Sequence, residues 1–336
     1  MIVVEDKYMA RCIALARGGA GNVSPNPMVG AVIVHAGRII GEGFHRKCGE
    51  AHAEVNAITS VRDESLLKES TIYVSLEPCS HYGKTPPCAE LIIRKGIPRV
   101  VVACLDPFPA VSGRGVKMLQ DAGVEVVVGV LEEEARQLNV AFITAQTLGR
   151  PYIVLKWAQS ADGFIDRLRT DASVAPVVLS TPETRRCVHR LRAEMAAIMV
   201  GTRTALLDNP SLTVRHWVGK SPMRVVLDRA LRIPSHYHLL DGAVPTLVFT
   251  ALEAPARPNV IYIQIDFTAD VLSQVLRELH ARKIDSLLVE GGACLLAAFI
   301  DAHLWDDVRI ETSSIVLGEG VKAPFFEGVS PIYSSL

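Results

Sequence analysis

The sequence predicts two consecutive α/β domains. Three observations carry this expectation. The chain has 336 residues, long for one domain and comfortable for two. Strand-sized apolar runs alternate with amphipathic helical segments, the mark of an α/β layer fold. The alternation restarts after Gly149-Arg150-Pro151, so the domains are expected at residues 1–149 and 150–336. Hydrophobic residues make up 49% of the chain and charged residues 21%, which lets each half bury a core.

In the first half, Tyr8, Met9, Cys12, Ile13 and Ala16 share one helical face over residues 6–17, and the run GGAGN stops that helix. Residues 29–34 and 38–44 read as a hairpin joined at HAG. AEVNAITSV reads as a helix, TIYVSL as a strand, CAELIIRKG as a helix ended by Gly96, and RVVVACL as a strand. GRGVKMLQDAG then gives a helix, VEVVVGV a strand, and EEEARQLNVAFITAQTLG one longer helix. In the second half, strands are expected at YIVLKWA, AAIMVG, MRVVLD, PTLVFT, VIYIQI, DSLLVE and DVRIET, with helices over 182–192, 270–282 and GACLLAAFIDA.

Composition excludes some function classes. Lys plus Arg is 35 against Asp plus Glu 36, whereas a protein that grips long nucleic acid needs a basic excess. A local arginine cluster would still serve a small anion. No apolar run approaches the ~18 residues of a membrane helix, and MIVVEDKYMARC has no signal-peptide pattern. A cytoplasmic location without membrane or nucleic-acid partners is expected.

The seven cysteines therefore speak against a disulfide framework and for metal ligation or catalysis where thiols cluster. Cys79 and Cys88 flank SHYGKTPP, one past a strand end and one at a helix start. His52 opens an upstream helix, with Glu54 two residues on. One imidazole and two thiolates make three ligands for Zn²⁺ and leave a fourth corner for water, as catalytic zinc sites do. Glu54 is placed to act on that water without ligating the metal. His81 lies between the thiols, but as a fourth ligand it would close the water position. A purely structural zinc is the weaker alternative. Cys12, Cys48, Cys104, Cys187 and Cys294 have no such partners and read as ordinary thiols.

The combination H-A-E, then P-C and a second Cys, resembles the zinc nucleobase deaminases. There the metal lowers the pKa of bound water from 15.7 toward ~7, and the glutamate shuttles protons during attack and ammonia release. SPNPMVGAVIV, GEGFHRKCGEAHAEVNA, LEPCSHYGKTPPCAELI and DPFPAVSGRGVKMLQDAGVEV together resemble the bifunctional riboflavin-biosynthesis deaminase–reductases, as does the eight-residue insert between the cysteines. The resemblance implies a cytidine-deaminase-like three-layer αβα domain followed by a dihydrofolate-reductase-like α/β domain. It implies a phosphorylated diaminopyrimidinone as substrate, deamination before reduction, NADPH as hydride donor, and homo-oligomerisation. It also implies Asn26, His45, Lys84 and Thr85 as substrate-site residues of the deaminase. Asn26 can pair with a ring edge, and Lys84 can meet a phosphate as a point charge.

YIVLKWAQSADG, AAIMVGTRTALLDNPSLTVR, MRVVLD and LLVEGGACLLAAFI resemble the reductase half. By position, Ala158, Thr204, Asp208 and Gly292 fall on the family's cofactor contacts. Lys156, Arg192, Leu212, Arg215 and Glu290 fall on its substrate contacts, Arg192 and Arg215 suiting a phosphate and Lys156 and Glu290 orienting the sugar. No G-x-G-x-x-G follows a first strand, so the residues alone give no Rossmann site. Glu290-Gly291-Gly292 at a strand end lets backbone N–H groups approach a phosphate, and equally fits a plain strand-to-helix turn.

The residues alone also allow plainer roles: Asn26 as a turn residue before Pro27, His45 as a polar strand end, Asp208 as a turn former, Arg192 as a solvated helix charge. Two departures from the family pattern stand out. The family's Gly-acidic-Ser-x-x-Trp segment has no counterpart in IDRLRTDASVAPVVLSTPE, where Asp171 or Ser173 are the nearest substitutes. The chain also ends soon after SIVLGEGVKAP, where the family continues into further strand, so an uncovered sheet edge is expected. These departures leave a second reading, a deaminase whose C-terminal half is only a binding or oligomerisation scaffold.

Overall fold

The computed structural model describes residues 4–82, 86–108, 112–255 and 257–326. They divide into two compact units, one ending at Gly149 and one beginning at Arg150.

The first unit runs α1 (Asp6–Ala16), β1 (Gly30–His35), β2 (Arg38–Phe44), α2 (Ala53–Ser60), β3 (Thr71–Val74), α3 (Cys88–Arg94), β4 (Arg99–Val102), α4 (Arg114–Asp121), β5 (Glu125–Val128), α5 (Glu132–Leu138) and α6 (Val140–Leu148). Its sheet has the order β2-β1-β3-β4-β5. The β1–β2 and β1–β3 pairs are antiparallel, and β3, β4 and β5 are parallel. The period-two rule for strands explains the layering. Ala31, Ile33, Ile72, Val74, Val100 and Val102 face one core, shared with Ala53, Ala57 and Ile58 of α2, Ala89 and Ile92 of α3 and Leu119 of α4. Val32, Val34, Tyr73 and Val101 face the other, against Tyr8, Met9, Cys12 and Ile13 of α1. Each fully buried valine or isoleucine contributes about 1.5–3 kcal/mol of transfer free energy.

The second unit runs β6 (Tyr152–Gln159), β7 (Phe164–Asp166), α7 (Pro182–Glu194), β8 (Ala197–Val200), α8 (Thr202–Asp208), β9 (Met223–Leu227), β10 (Thr246–Thr250), β11 (Val260–Gln264), α9 (Val271–Ala281), β12 (Ser286–Glu290), α10 (Ala293–Asp301), β13 (Asp307–Thr312) and β14 (Val321–Lys322). Seven parallel strands take the order β11-β10-β9-β8-β12-β6-β13. Both faces of the central strands are buried, which is why they read as unbroken Val/Ile/Leu runs. Helices α9 and α10 cover one face through Leu276, Leu279, Leu296 and Phe299. Leu191 of α7 and Ala205 of α8 cover the other. Among the described residues β13 is a sheet edge, and no helix is long and apolar enough to cross a membrane.

Two features depart from the sequence expectation. The single long helix expected after β5 is broken into α5 and α6 at Asn139. The Asn139 carboxamide accepts the Met28 N–H at 2.8 Å and donates to the Met28 carbonyl at 2.9 Å, so a contact distant in sequence fixes the break. The helix α8 (Thr202–Asp208) stands where the sequence pattern assigned no element. It follows the N-cap Gly201 and stops where Asn209 takes a left-handed conformation.

Candidate active sites in the two units

In the first unit, α2 lies directly on β2 because two strand positions are glycine. A Cβ on Gly43 would stand 2.3 Å from Ala57 N and 2.6 Å from Ala53 O, so no larger residue fits. This packing sets the N-terminus of α2, where His52 is the N-cap. Cys88 is the first residue of α3, and Cys79 follows β3 in the loop. His52 Nδ1 stands 3.6 Å from Cys79 Sγ and 3.4 Å from Cys88 Sγ, and neither cysteine is in a disulfide. Zinc with bonds of ~2.3 Å to sulfur and ~2.0–2.1 Å to nitrogen at tetrahedral angles separates an S,N ligand pair by about 3.5–3.6 Å. The three side chains therefore fit zinc without rearrangement, and among the described residues they form the one cluster of metal-ligand spacing.

The electrostatics match ligand chemistry. Cys79 is pulled down to about 4, chiefly by hydrogen bonding with Cys88, with His52 adding to it against burial. The Cys88 backbone N–H also points at Cys79 Sγ, at 3.2 Å. Cys88 is pushed up by sharing that charge. Glu54, buried in the first turn of α2, is raised to about 7 by burial and by the neighbouring Cys79. It faces the ligand sulfurs without being one of the three.

His45 and Asn26 come to the same place. The His45 ring meets the His52 ring edge-on at 5.4 Å. Its Nδ1–H donates to the Ala51 carbonyl at 3.1 Å, which leaves Nε2 to accept from the Asn26 amide at 3.3 Å. Burial holds His45 below the usual imidazole range, so it stays neutral. Asn26 is thus more than a turn residue. Lys84 and Thr85 lie outside the described residues.

In the second unit a cavity of about 840 Å³ opens beside the ends of β6, β8 and β12. Lys156, Ala158, Arg192 and Thr204 line it, as do Asp208, Leu212, Glu290 and Gly292. Arg215 is absent from that lining and binds the hydroxyls of Ser211 and Thr213 instead. Glu290 and Arg192 form a bidentate, largely buried ion pair, with Arg192 Nε 3.1 Å from Glu290 Oε1. Burial alone would raise Glu290, but Arg192 and Lys156 hold its carboxyl below the usual range. Lys156 faces Glu290 in register across the β6–β12 pair. Arg192 is therefore a partly buried, paired cation rather than a solvated helix charge. Gly291 and Gly292 both have positive φ, 89° and 80°, and a Cβ on Gly292 would stand 3.0 Å from Thr204 Oγ1. This glycine-walled cradle at the start of α10 fits a phosphate-bearing cofactor.

Comparison with known proteins agrees with both halves. Residues 3–104 match the family model described as the cytidine and deoxycytidylate deaminase zinc-binding region, and residues 151–332 match the RibD C-terminal domain. The riboflavin biosynthesis protein RibD of Aquifex aeolicus is 41% identical over 326 residues, covering 95% of this chain and 89% of that one. The chain belongs to the RibD family. RibD of Bacillus amyloliquefaciens is 42% identical over 332 residues, covering 96% and 87%. A crystal structure of a diaminohydroxyphosphoribosylaminopyrimidine deaminase/5-amino-6-(5-phosphoribosylamino)uracil reductase from Thermotoga maritima superposes with a TM-score of 0.86 at 41% identity, covering 97% of this chain and 92% of that one. Acinetobacter baumannii RibD gives 0.85 at 35%, covering 98% and 92%. The fold is accordingly a cytidine-deaminase-like domain followed by a dihydrofolate-reductase-like one, and the zinc-binding type of the first domain is that of its family.

Several residues of these RibD-type sites escaped the sequence reading. Glu77, two residues before Cys79, is buried and accepts backbone N–H bonds from Asp106, Gly113, Gly115 and Val116 at 2.8–3.2 Å. An acid at the end of an all-buried strand was the available signal. Arg169, in the segment that matches no family pattern, is also buried. It bridges Asp166, at 2.6 Å, and Asp208. Residues Pro176–Ser180 of that segment line the cavity. Asp171 and Ser173 do not line it; they bond each other on the surface. Ser180 and Thr184 both donate to buried Glu311 of β13, at 2.7 and 2.6 Å, anchoring the segment to the sheet.

Proposed function

We propose that residues 1–149 deaminate a diaminopyrimidinone ribosyl phosphate and that residues 150–336 reduce the ribosyl group of the product to ribityl with NADPH, two consecutive steps of riboflavin biosynthesis. The observation that carries this reading is the match between the S–N spacing of His52, Cys79 and Cys88 and tetrahedral zinc, with buried Glu54 beside it.

Zinc held by these three residues supplies a Lewis acid and a water acidified from 15.7 toward ~7. Glu54 takes a proton from the attacking water and returns one to the departing amine. The C–N bond breaks, ammonia leaves, and the ring carbon keeps the water oxygen as a carbonyl. Burial keeps the Glu54 carboxyl near neutrality, which suits a group that must both accept and donate. Asn26 and neutral His45, locked to each other and to Ala51, hold the pyrimidine edge.

NADPH supplies the hydride for the second step. Ala158, Thr204, Asp208 and the Gly292 cradle hold it, and Lys156 and Glu290 orient the sugar. Arg192 keeps Glu290 ionised and Leu212 walls the sugar side. The cavity retains eight of the nine expected residues despite the altered 166–181 segment, which supports an active reductase over a scaffold. One assay tests the whole reading. Protein given the pyrimidine nucleotide and NADPH together should release ammonia and form NADP⁺ in equal amounts. Ammonia without NADP⁺ would leave only the deaminase.

A further inference from the structure

Helix α8 carries Thr204 and Asp208 to the cavity, yet its own contacts hold it weakly. Two turns are too short to be stable alone. Gly201 at its N-cap contributes no side-chain bond, and of its seven residues only Ala205 is buried. Its start is tied to β9 by the Thr202 hydroxyl, which donates to the Leu227 carbonyl. Just past its end, the Asn209 side chain accepts the His238 N–H at 2.8 Å. On the cavity side the tie is Arg169.

We propose that Arg169 is a positioning residue for the cofactor: it clamps the C-terminal end of α8 to the 164–180 segment and so keeps Thr204 and Asp208 in their binding positions. The proposal rests on the reductase reading of the cavity.

The bonds of this arginine join separate pieces of chain. Its side chain is only 4% exposed. Nε donates to Asp166 of β7 at 2.6 Å, and Nη2 donates to Asp208. Nη1 donates to the carbonyls of Val174 at 3.2 Å and Leu207 at 3.3 Å. The Leu207 carbonyl is among the last of α8, which find no partner within the helix, and a cation there also meets the negative end of the helix dipole. A second tie runs the other way: Arg203 of α8 donates to the Arg169 carbonyl at 3.2 Å. Asp166 Oδ1 accepts the N–H groups of Arg167 and Val177 at 2.9 and 3.0 Å. The same cluster therefore shapes the segment whose Pro176–Ser180 stretch lines the cavity.

Location separates Arg169 from an ordinary structural arginine. Arg224 is also fully buried, and it too bonds two carbonyls and a carboxylate, those of Ser211, His238 and Asp241. Neither Arg224 nor any of these partners lines the cavity, whereas Arg169, Asp166, Leu207 and Asp208 all do. With Oδ1 held by Arg169, the Asp208 carboxylate meets a ligand pre-set rather than freely rotating. Thr204 lies on the same two turns, against the glycine cradle: a Cβ on Gly292 would stand 3.0 Å from its Oγ1. A shift of α8 would displace both cofactor contacts together.

NADPH is the probe, titrated into the full-length chain and followed by its fluorescence. Arg169→Met keeps the apolar stem and removes the fork. Asp166 and Asp208 then lose their counter-charge beside an anionic ligand, and the binding-competent position of α8 is only partly populated. Apparent affinity falls in proportion to that population, so the Kd for NADPH should rise roughly tenfold or more. The KM for NADPH should rise with it, while kcat and the KM for the deaminated pyrimidine stay within about twofold. Amide exchange over residues 202–208 should quicken. Arg169→Lys keeps the charge but cannot bridge both carboxylates, and a rise of roughly threefold is expected; it carries the test if Arg169→Met does not melt cooperatively. Arg167→Ala removes an exposed arginine of the same segment and should match wild type. A merely structural arginine would lower the fraction of active protein and leave the Kd of the remainder unchanged. Wild-type NADPH affinity in folded Arg169→Met, or in Arg169→Lys should that alone fold, would overturn the proposal and leave the reductase reading standing. A wild-type chain that binds no NADPH would overturn both.

Discussion

His189 Nδ1 accepts the backbone N–H of Arg215 at 2.9 Å. This bond fastens the 211–215 loop to α7 and dictates the protonation state of the ring: Nε2 carries the proton, and Nδ1 must stay bare. His189 is buried and is held down to about 4, first by burial and then by Arg192, Arg215 and His216, with Glu290 opposing.

The sign of the resulting pH dependence follows by linkage. In the unfolded chain His189 takes up its proton near 6.5, and in the folded chain only near 4. Between these values the unfolded state binds more protons, so stability falls as pH falls, by up to about 3 kcal/mol across that window. His189→Gln keeps an acceptor and cannot titrate. Denaturant unfolding at pH 7.5 and 4.5 should show the wild type losing more stability than the variant. Equal losses would mean that His189 titrates normally.

The Arg192–Glu290 pair is largely buried on both sides. Glu290→Ala leaves a largely buried guanidinium without its counter-charge, a change that costs up to about 3–5 kcal/mol when the site is fully dry. NADPH oxidation should vanish and the second unit should melt earlier, while ammonia release persists. The double variant Arg192→Met/Glu290→Ala should regain stability without regaining reduction. A stable Glu290→Ala single variant would show that Arg192 has another partner.

Gly43→Ala tests how the fold makes the metal site. The added Cβ collides with Ala57 N and Ala53 O, so α2 must move off β2, at a cost of roughly 1–3 kcal/mol. The helix carries His52 at its cap and Glu54 in its first turn. Zinc content and ammonia release should fall together. Wild-type values for both would mean that the strand–helix contact does not set the site.

Glu77→Gln replaces a charged acceptor of four N–H groups with a neutral one that also carries unwanted donors. The Asp106–Val116 segment should loosen, seen as faster amide exchange there, and ammonia release should drop at least tenfold with reduction intact. Unchanged exchange would deny Glu77 its ordering role.

What was legible in the sequence follows from what each feature demands of a residue. Zinc accepts few side-chain types, so His52, Cys79 and Cys88 stood out, and Glu54 with them. The parallel strands were legible because burial on both faces leaves continuous Val/Ile/Leu runs. The break at Asn139 was not, since a helix former and a helix breaker look alike until Met28 is brought to its side chain. Arg169 was hidden for the same reason: it lies in a segment with no recognisable pattern, and its partner Asp208 is distant in sequence. Arg215 was placed by motif position alone, which does not say that its guanidinium also donates to the Ser211 and Thr213 hydroxyls of its own loop.

On the proposed function the chain carries two separable catalytic sites, the first run by Glu54 over a zinc that His52, Cys79 and Cys88 would hold. Glu54→Ala, loaded with zinc and given both the nucleotide and, separately, the deaminated intermediate with NADPH, tests it most directly. One zinc per chain, no ammonia above background, and NADPH oxidation at the wild-type rate are expected. Ammonia release at the wild-type rate, or loss of both activities at once, would contradict it.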